Sequence, residues 1–212
     1  MKSLAKISTK NQELPAVSAS DTPDYENKIS DVKYQNLVSQ LNPHFLFNSL
    51  ATLESLIYSD QRLAVKFLSR LTRVYRYILT TRNTPLVTLA EEINFIKDYA
   101  ELLQTRFGKG LFVTINGSGK YNEKKIVPAV LQILVENATR HNSTDPESPL
   151  MVKIQIEEGR LSIENNLQKK QILEVQRQEA LKSLCSLYTY FSETPIEIQE
   201  TTETFRVLLP LI

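Results

Sequence analysis

The chain of 212 residues has little of three things: it holds one cysteine, two histidines and five glycines, and no glycine follows Gly159. A lone Cys185 closes no intramolecular disulfide, and with two histidines it leaves too few ligands for a structural zinc site, in keeping with a reducing compartment. Charge of one sign is also lacking. Lys and Arg number 25 against 24 Asp and Glu, a formal net charge of +1, so no overall field draws nucleic acid or a membrane surface, and no nucleic-acid partner is expected. No window approaches the roughly 18 consecutive apolar residues that span a bilayer, and Met1 to Lys10 lacks the apolar core of a secretory signal. A cytoplasmic chain without a membrane segment is the reading. What is present is 42% hydrophobic and 23% charged, a globular balance with apolar material for one substantial core.

Residues 1–24 are rich in Ser, Thr, Lys and Asp, include Pro15 and Pro23, and show no periodicity. They read as a mobile leader, or as what remains of a larger sensor. Residues 25–84 read as a helical hairpin. Val32, Leu37, Leu41, Leu50, Leu53, Leu56 and Ile57 recur at helical intervals, and Pro43 interrupts the run. Its ring clashes with the carbonyl of Ser39, which predicts a bend just before His44 that puts the histidine on display. A second helix starts near Asp60, with Ala64, Phe67, Leu68, Leu71, Val74, Tyr75 and Ile78 at the spacing of a helix–helix seam. The seam is buried either by a second copy, giving a four-helix bundle, or by the chain's own C-terminal part.

Residues 85–212 alternate differently. Thr88 and Glu91 form a capping box that opens a helix with Leu89, Ile93, Ile96, Ala100, Leu103 and Phe107 on one face, and Gly108 stands where a left-handed cap would end it. Leu111 to Asn116 alternates like a strand. Pro128 opens a further helix that buries Val130, Leu131, Leu134, Val135 and Ala138 and leaves Glu136, Asn137, Arg140 and His141 on a polar side. Strands at Met151–Glu157 and Arg160–Asn165 join through Glu158 and Gly159. A helix over about 172–191 and strands at Ile196–Gln199 and Phe205–Leu209 complete the chain. The fold class is α+β: a helical hairpin, then a two-layer α/β sandwich on a mixed, mostly antiparallel sheet of about five strands.

The stretch Asn42-Pro43-His44-Phe45-Leu46-Phe47-Asn48 carries the chemistry. A neutral imidazole on a bent, exposed helix acts as a nucleophile, and Asn48, one turn on, is placed to hydrogen-bond the ring and select its free nitrogen. This string resembles the phosphoacceptor box of the LytS-type sensor histidine kinases. Leu103-Gln104-Thr105-Arg106-Phe107 resembles the helix that leads into that family's ATP-binding domain. Ile126 to Gln132 followed by Leu134-Val135-Glu136-Asn137-Ala138-Thr139-Arg140-His141 resembles its N box, and the likeness runs from about residue 30 to Ile212. It implies a hairpin that forms a homodimer or mixed dimer and presents His44, followed by a GHKL-type domain that holds Mg-ATP. It further implies autophosphorylation of His44 and transfer to an aspartate on a response regulator receiver domain. Asn137 offers a hard oxygen ligand for Mg²⁺, and Glu136 a carboxylate to polarise a metal-bound water or the imidazole. Arg140 and His141 are candidates to meet phosphate oxygens. The plainer reading of these four is a solvated helix face with a Glu136–Arg140 pair worth a few tenths of a kcal/mol.

The pattern fails in two places. Where the family has an aspartate for the adenine amino group followed by Asn-Gly, this chain has Asn165-Asn166-Leu167: the Asn165 amide still accepts a bond, but Leu167 puts a branched side chain where backbone should approach the nucleotide. Where the family opens a helix with glycines that cradle phosphates, this chain has Gln178-Glu179-Ala180-Leu181-Lys182. Glu179 repels phosphate and Lys182 offsets it in part. Asn142 replaces the glycine that often follows the N-box histidine. Two functions fit: a kinase with impaired ATP binding, and a non-catalytic pseudokinase or scaffold that dimerises and modulates a partner kinase or response regulator.

Overall fold

The computed structural model describes residues 43–117, 119–157, 159–170 and 174–212, with backbone alone at 43, 157 and 174–180. The leader, the helical run through Val32, Leu37 and Leu41, and the bend expected ahead of His44 lie outside the described residues.

Helix α1 (Pro43–Ser59) and helix α2 (Gln61–Thr81) meet at Asp60, whose extended backbone and side chain, accepting from the Leu63 amide at 3.0 Å, cap α2. Ala64, Phe67, Leu71, Val74 and Ile78 of α2 are buried, and α2 packs on helix α3 (Leu89–Phe107). That face of the seam is therefore spent on the chain's own core. A second apolar flank stays uncovered: Val65, Leu68 and Leu79 of α2 and Phe47, Leu50, Ile57 and Tyr58 of α1 are exposed.

The two-residue strand β1 (Val87–Thr88) leads into α3 and pairs antiparallel with β3 (Lys125–Ile126). The predicted capping box is present: Thr88 Oγ1 accepts from the Glu91 amide, and Glu91 Oε2 accepts from the Thr88 amide at 2.8 Å. Those bonds hold the Glu91 carboxyl below the ordinary carboxylate value. Gly108 ends α3 at φ 55°, ψ −129°, outside the left-handed helical well that its position predicts but still in territory suited to glycine.

Five strands form the main sheet in the order β2 (Leu111–Gly117), β4 (Leu150–Glu157), β5 (Arg160–Asn166), β7 (Thr204–Pro210), β6 (Glu197–Glu200). The β2–β4 pair is parallel and the other three are antiparallel, the mixed sheet predicted. Glu157 opposes Arg160, so the predicted two-residue connection holds, with Gly159 at φ 76°. Helix α4 (Val130–His141) and helix α5 (Glu174–Tyr188) supply the remaining helices, and one cluster of buried apolar side chains runs from Phe45 to Leu209.

Helix α4 begins two residues beyond Pro128 rather than at it. Ala129 takes the N-cap position at φ 60°, ψ 11°, and among the described residues it is the only non-glycine with positive φ, a conformation that costs about 1–2 kcal/mol. No side chain of the segment itself caps the helix. The cap comes from α3: Glu92 Oε2 accepts from the Ala129 amide at 2.9 Å and Oε1 from the Leu131 amide at 3.0 Å, while the Tyr77 hydroxyl of α2 donates to Oε2 at 2.6 Å. A carboxylate at a helix N-terminus also meets the positive end of the helix dipole. Glu92 is 0% exposed. Burial pushes its carboxyl up to about 7, against the hydrogen bonds from Tyr77, Leu131 and Ala129, which pull the other way.

Because the folded-state value is raised, the protonated carboxyl favours folding, and this contribution is fully present below the unfolded-state value and lost as pH rises through about 7. Chemical denaturation of the parent should show stability falling between pH ~5 and ~8 by up to about 3 kcal/mol from this group. Glu92→Gln should flatten that slope. An equal slope in the variant would mean that Glu92 does not titrate with folding.

Candidate active site

His44 is exposed on the first turn described for α1, and its neighbour Phe45 is buried. The Phe45 ring lies 4.8 Å from the Tyr99 ring and 6.3 Å from the Tyr75 ring, centroid to centroid. This aromatic anchor fixes the start of α1 against α2 and α3 and so decides where the imidazole stands. Asn48, one turn later, places Nδ2 at 3.1 Å from His44 Nε2 and 3.2 Å from Nδ1. The amide donates to whichever ring nitrogen is unprotonated; turned end for end, it accepts from a ring N–H instead.

His44 lines a cavity of about 270 Å³ together with Tyr99, Arg106, Glu136, Arg140 and Lys170. Glu136 and Arg140 come from successive turns of α4, Tyr99 and Arg106 from α3, and Lys170 from the segment after β5. Glu136 Oε1 accepts from the Tyr99 hydroxyl at 2.7 Å and from Gln132 Nε2 at 2.9 Å. The pairing with Arg140 that the i, i+4 spacing offers is not made: no ion pair joins the two among the described residues. Burial raises the Glu136 carboxyl above its ordinary value, opposed by the bonds from Gln132 and Tyr99 and by the charges of Arg140 and His44. A carboxyl so raised, lining one cavity with an imidazole, is a stronger proton acceptor than an ordinary carboxylate. The Tyr75 hydroxyl is buried without a hydrogen-bond partner among the described residues, and burial and the Glu136 charge push it up to about 12.

The other candidates lie elsewhere. Asn137 does not line the His44 cavity; it is 9% exposed, and its amide makes no hydrogen bond among the described residues. An unspent, nearly buried amide oxygen fits a single hard ligand to Mg²⁺, an ion that takes few protein ligands and completes its shell with water and phosphate. No cluster of three or more His, Cys, Asp or Glu suited to a metal occurs among the described residues. His141 is half-buried at the end of α4, and Asn165 is 4% exposed on β5 with its Nδ2 donating to the Asn166 carbonyl at 2.7 Å.

Asn142 has a structural task. Its Nδ2 donates to the Ala138 carbonyl at 2.9 Å and its Oδ1 accepts from the Gln168 amide at 2.8 Å. Ser143 N to Gln168 O at 2.9 Å and Lys170 N to His141 O at 3.0 Å extend the connection. The end of α4 is thus laced to residues 168–170, and Leu167, half-buried, packs on the core.

Sequence reasoning missed Tyr99, Gln132, Arg106 and Lys170. Tyr99 had a signal, standing three residues after Ile96 and four before Leu103 on the apolar stripe of α3, where a hydroxyl needs a partner. Tyr99→Phe removes a donor that favours the charged carboxylate, so the Glu136 titration followed by carbon-detected NMR should move upward, with a stability loss of about 1 kcal/mol. An unmoved Glu136 titration would show that the phenol does not hold that group.

A histidine kinase family model matches residues 32–111. The sensor protein kinase HptS of Staphylococcus aureus, in strains USA300 and NCTC 8325 / PS 47, is 29% identical over 138 residues, 65% of this chain. The chain spans 26% of the length of these curated relatives. Among solved structures, a bacterial phosphotransferase is similar over 92% of this chain and 98% of its own, at 12% identity and a TM-score of 0.43. The Acinetobacter baumannii histidine kinase AdeS is similar over 90% and 98%, at 11% identity and a TM-score of 0.40. Over residues 32–111 the chain is thus similar to the histidine kinase family, and over 138 residues to a sensor kinase.

Proposed function

We propose that this chain is the kinase core of a two-component sensor that acts in the cytoplasm, with His44 as the phosphoacceptor, Glu136 as its proton acceptor and a weakened hold on ATP. The observation that carries the reading is that His44 and Glu136, 92 residues apart in sequence, line one cavity. In the reaction an unprotonated ring nitrogen of His44 attacks the γ-phosphorus, and the bond to the β,γ-bridging oxygen breaks with its electron pair on ADP. The proton on the other ring nitrogen passes to Glu136, whose carboxyl is made a better proton acceptor by burial. Asn48 sets the tautomer. Asn137 is the candidate Mg²⁺ ligand, Arg140 and His141 meet phosphate, and Asn165 accepts from the adenine amino group. An aspartate of a response regulator then receives the phosphoryl group.

Weak nucleotide binding is supported by the residues between the N box and Leu167. Leu167 stands where a glycine would admit the nucleotide, and Asn142 with residues 168–170 spends on itself hydrogen bonds at the end of the helix that bears Asn137 and His141. The same lacing favours the second reading, a pseudokinase that dimerises and modulates a partner kinase or regulator.

Titration with a fluorescent ATP analogue and Mg²⁺ separates the two. Saturation in the upper micromolar range, with γ-label from ATP incorporated in the parent and lost in His44→Gln, is the expected result. No saturation up to millimolar nucleotide removes the kinase reading, and label that persists in His44→Gln removes His44 as the acceptor.

Dimerisation is proposed through the uncovered flank of the hairpin, where Val65 is 70% and Leu79 is 69% exposed. Because Leu71 lies in the chain's own core, the informative substitution is Leu79→Asp. Sedimentation should shift from dimer to monomer with the thermal midpoint of the folded unit retained; an unchanged mass would place the interface elsewhere.

A further inference from the structure

We infer that the cavity beside His44 is an oxyanion site in which Arg106, Arg140 and Lys170 hold the phosphoryl group that His44 carries. The inference rests on the phosphoacceptor reading and assigns to Arg106 and Lys170 a role that the N-box likeness does not reach.

Three cations from three different elements face one small space. Among the described residues none of them has a carboxylate within ion-pair distance. Each keeps donors to spare for a reason visible in its surroundings. Arg140 makes no ion pair with Glu136, whose Oε1 accepts instead from Tyr99 and Gln132. Arg106 lies over the Phe107 ring, 4.8 Å from its centroid, a contact that uses none of its N–H groups on a carboxylate. Lys170 Nζ donates to the Thr139 carbonyl at 3.1 Å, which uses one of three N–H donors.

Charge and size select the ligand. Three cations against the one carboxylate of Glu136 leave a surplus of two positive charges in the cavity, and a phosphoryl group carries about −1.5 to −2 at neutral pH. A volume of about 270 Å³ is below the ~300–1,000 Å³ of pockets that take drug-sized molecules and suits a tetrahedral anion with a few waters. The site asks nothing of the adenine or of a glycine loop, so it remains complete in a chain whose nucleotide side has changed. Held there, the phosphoryl group stays on His44 after ADP leaves, until a receiver aspartate takes it.

The probe is inorganic phosphate at constant ionic strength, read by the His44 imidazole resonances of nitrogen-labelled protein. A saturable shift is expected in the parent. Arg106→Gln and Lys170→Gln should each weaken it about tenfold, the factor carried by one charge-assisted hydrogen bond, while Lys169→Gln, whose lysine pairs with Glu200, should not. Absence of a saturable shift, or equal weakening by Lys169→Gln, overturns the site. The same variants, phosphorylated on His44 with phosphoramidate, should shift the phosphorus resonance of the phosphoimidazole; resonances identical to the parent's overturn its placement among these cations. Phosphate binding without labelling of His44 from ATP sinks the kinase reading and keeps the anion site. Label on His44 without phosphate binding sinks the anion site alone.

Discussion

The carboxylate of Glu92 is the point on which the arrangement turns. Helix α4 has no capping side chain of its own, because Val127, Pro128 and Ala129 precede it and Ala129 is held in a left-handed conformation. Left alone, that N-terminus would keep unpaired amides in a dry interior, each at a cost of about 1–3 kcal/mol. Glu92 pairs two of them and takes a third donor from Tyr77, so one side chain fastens α2, α3 and α4 together. The cost of burying it appears as its raised carboxyl, and the strained Ala129 persists because the surrounding bonds over-determine it.

Seven residues beyond Glu92 on the same helix, Tyr99 makes the second fastening, to Glu136. Glu92 meets residues 129 and 131 while Tyr99 meets residue 136, so contacts advance in the same direction along both chains and α3 and α4 run side by side in parallel. Seven residues rise about 10.5 Å in an α-helix, and over that span the register of α4 is fixed at both ends. Phe45, packed on the other side of Tyr99, carries the constraint to α1. The distance between His44 and Glu136 is thus set by buried contacts rather than by the exposed groups themselves.

Much of this was legible from periodicity and some of it was not, for identifiable reasons. The capping box at Thr88 and Glu91, the apolar face of α3 and the strand pair joined at Gly159 follow from local chemistry, and local chemistry is what a sequence displays. Glu92 hides beside Glu91, since two acids in a first helical turn read as dipole complements; only its place three residues after Leu89 and before Phe95, on the buried stripe, hints that one of them turns inward. Pro128 invited a helix start that is displaced to Val130 because the cap arrives from another helix. The α2 seam was ambiguous between a second copy and the chain's own core, and the structure buries Leu71 and Val74 internally while leaving Val65 and Leu79 outside. Lys170 and Arg106 were unreadable as site residues, because nothing local links them to His44.

Helix α4 presents its functional groups on two faces. Glu136 and Arg140 stand one turn apart and line the His44 cavity, whereas Asn137 and His141, also one turn apart, are rotated by about 100° from them. Departures from the family pattern lie outside the cavity lining, at Asn142 and Leu167, which stand where the family has glycine, and at Asn165, which stands where it has aspartate. On the first side the imidazole, its amide partner, the Glu136 carboxyl and the three cations are all present, with Phe45 and Tyr99 packed beneath the first and third of them. The two faces share α4 and are joined through Lys170, whose side chain lines the cavity while its backbone amide donates to the His141 carbonyl, so the proposed weakening of the nucleotide side leaves the groups of the cavity in place. Under the proposed reading, a chain with a weakened nucleotide face keeps the means to receive, hold and pass on a phosphoryl group through His44.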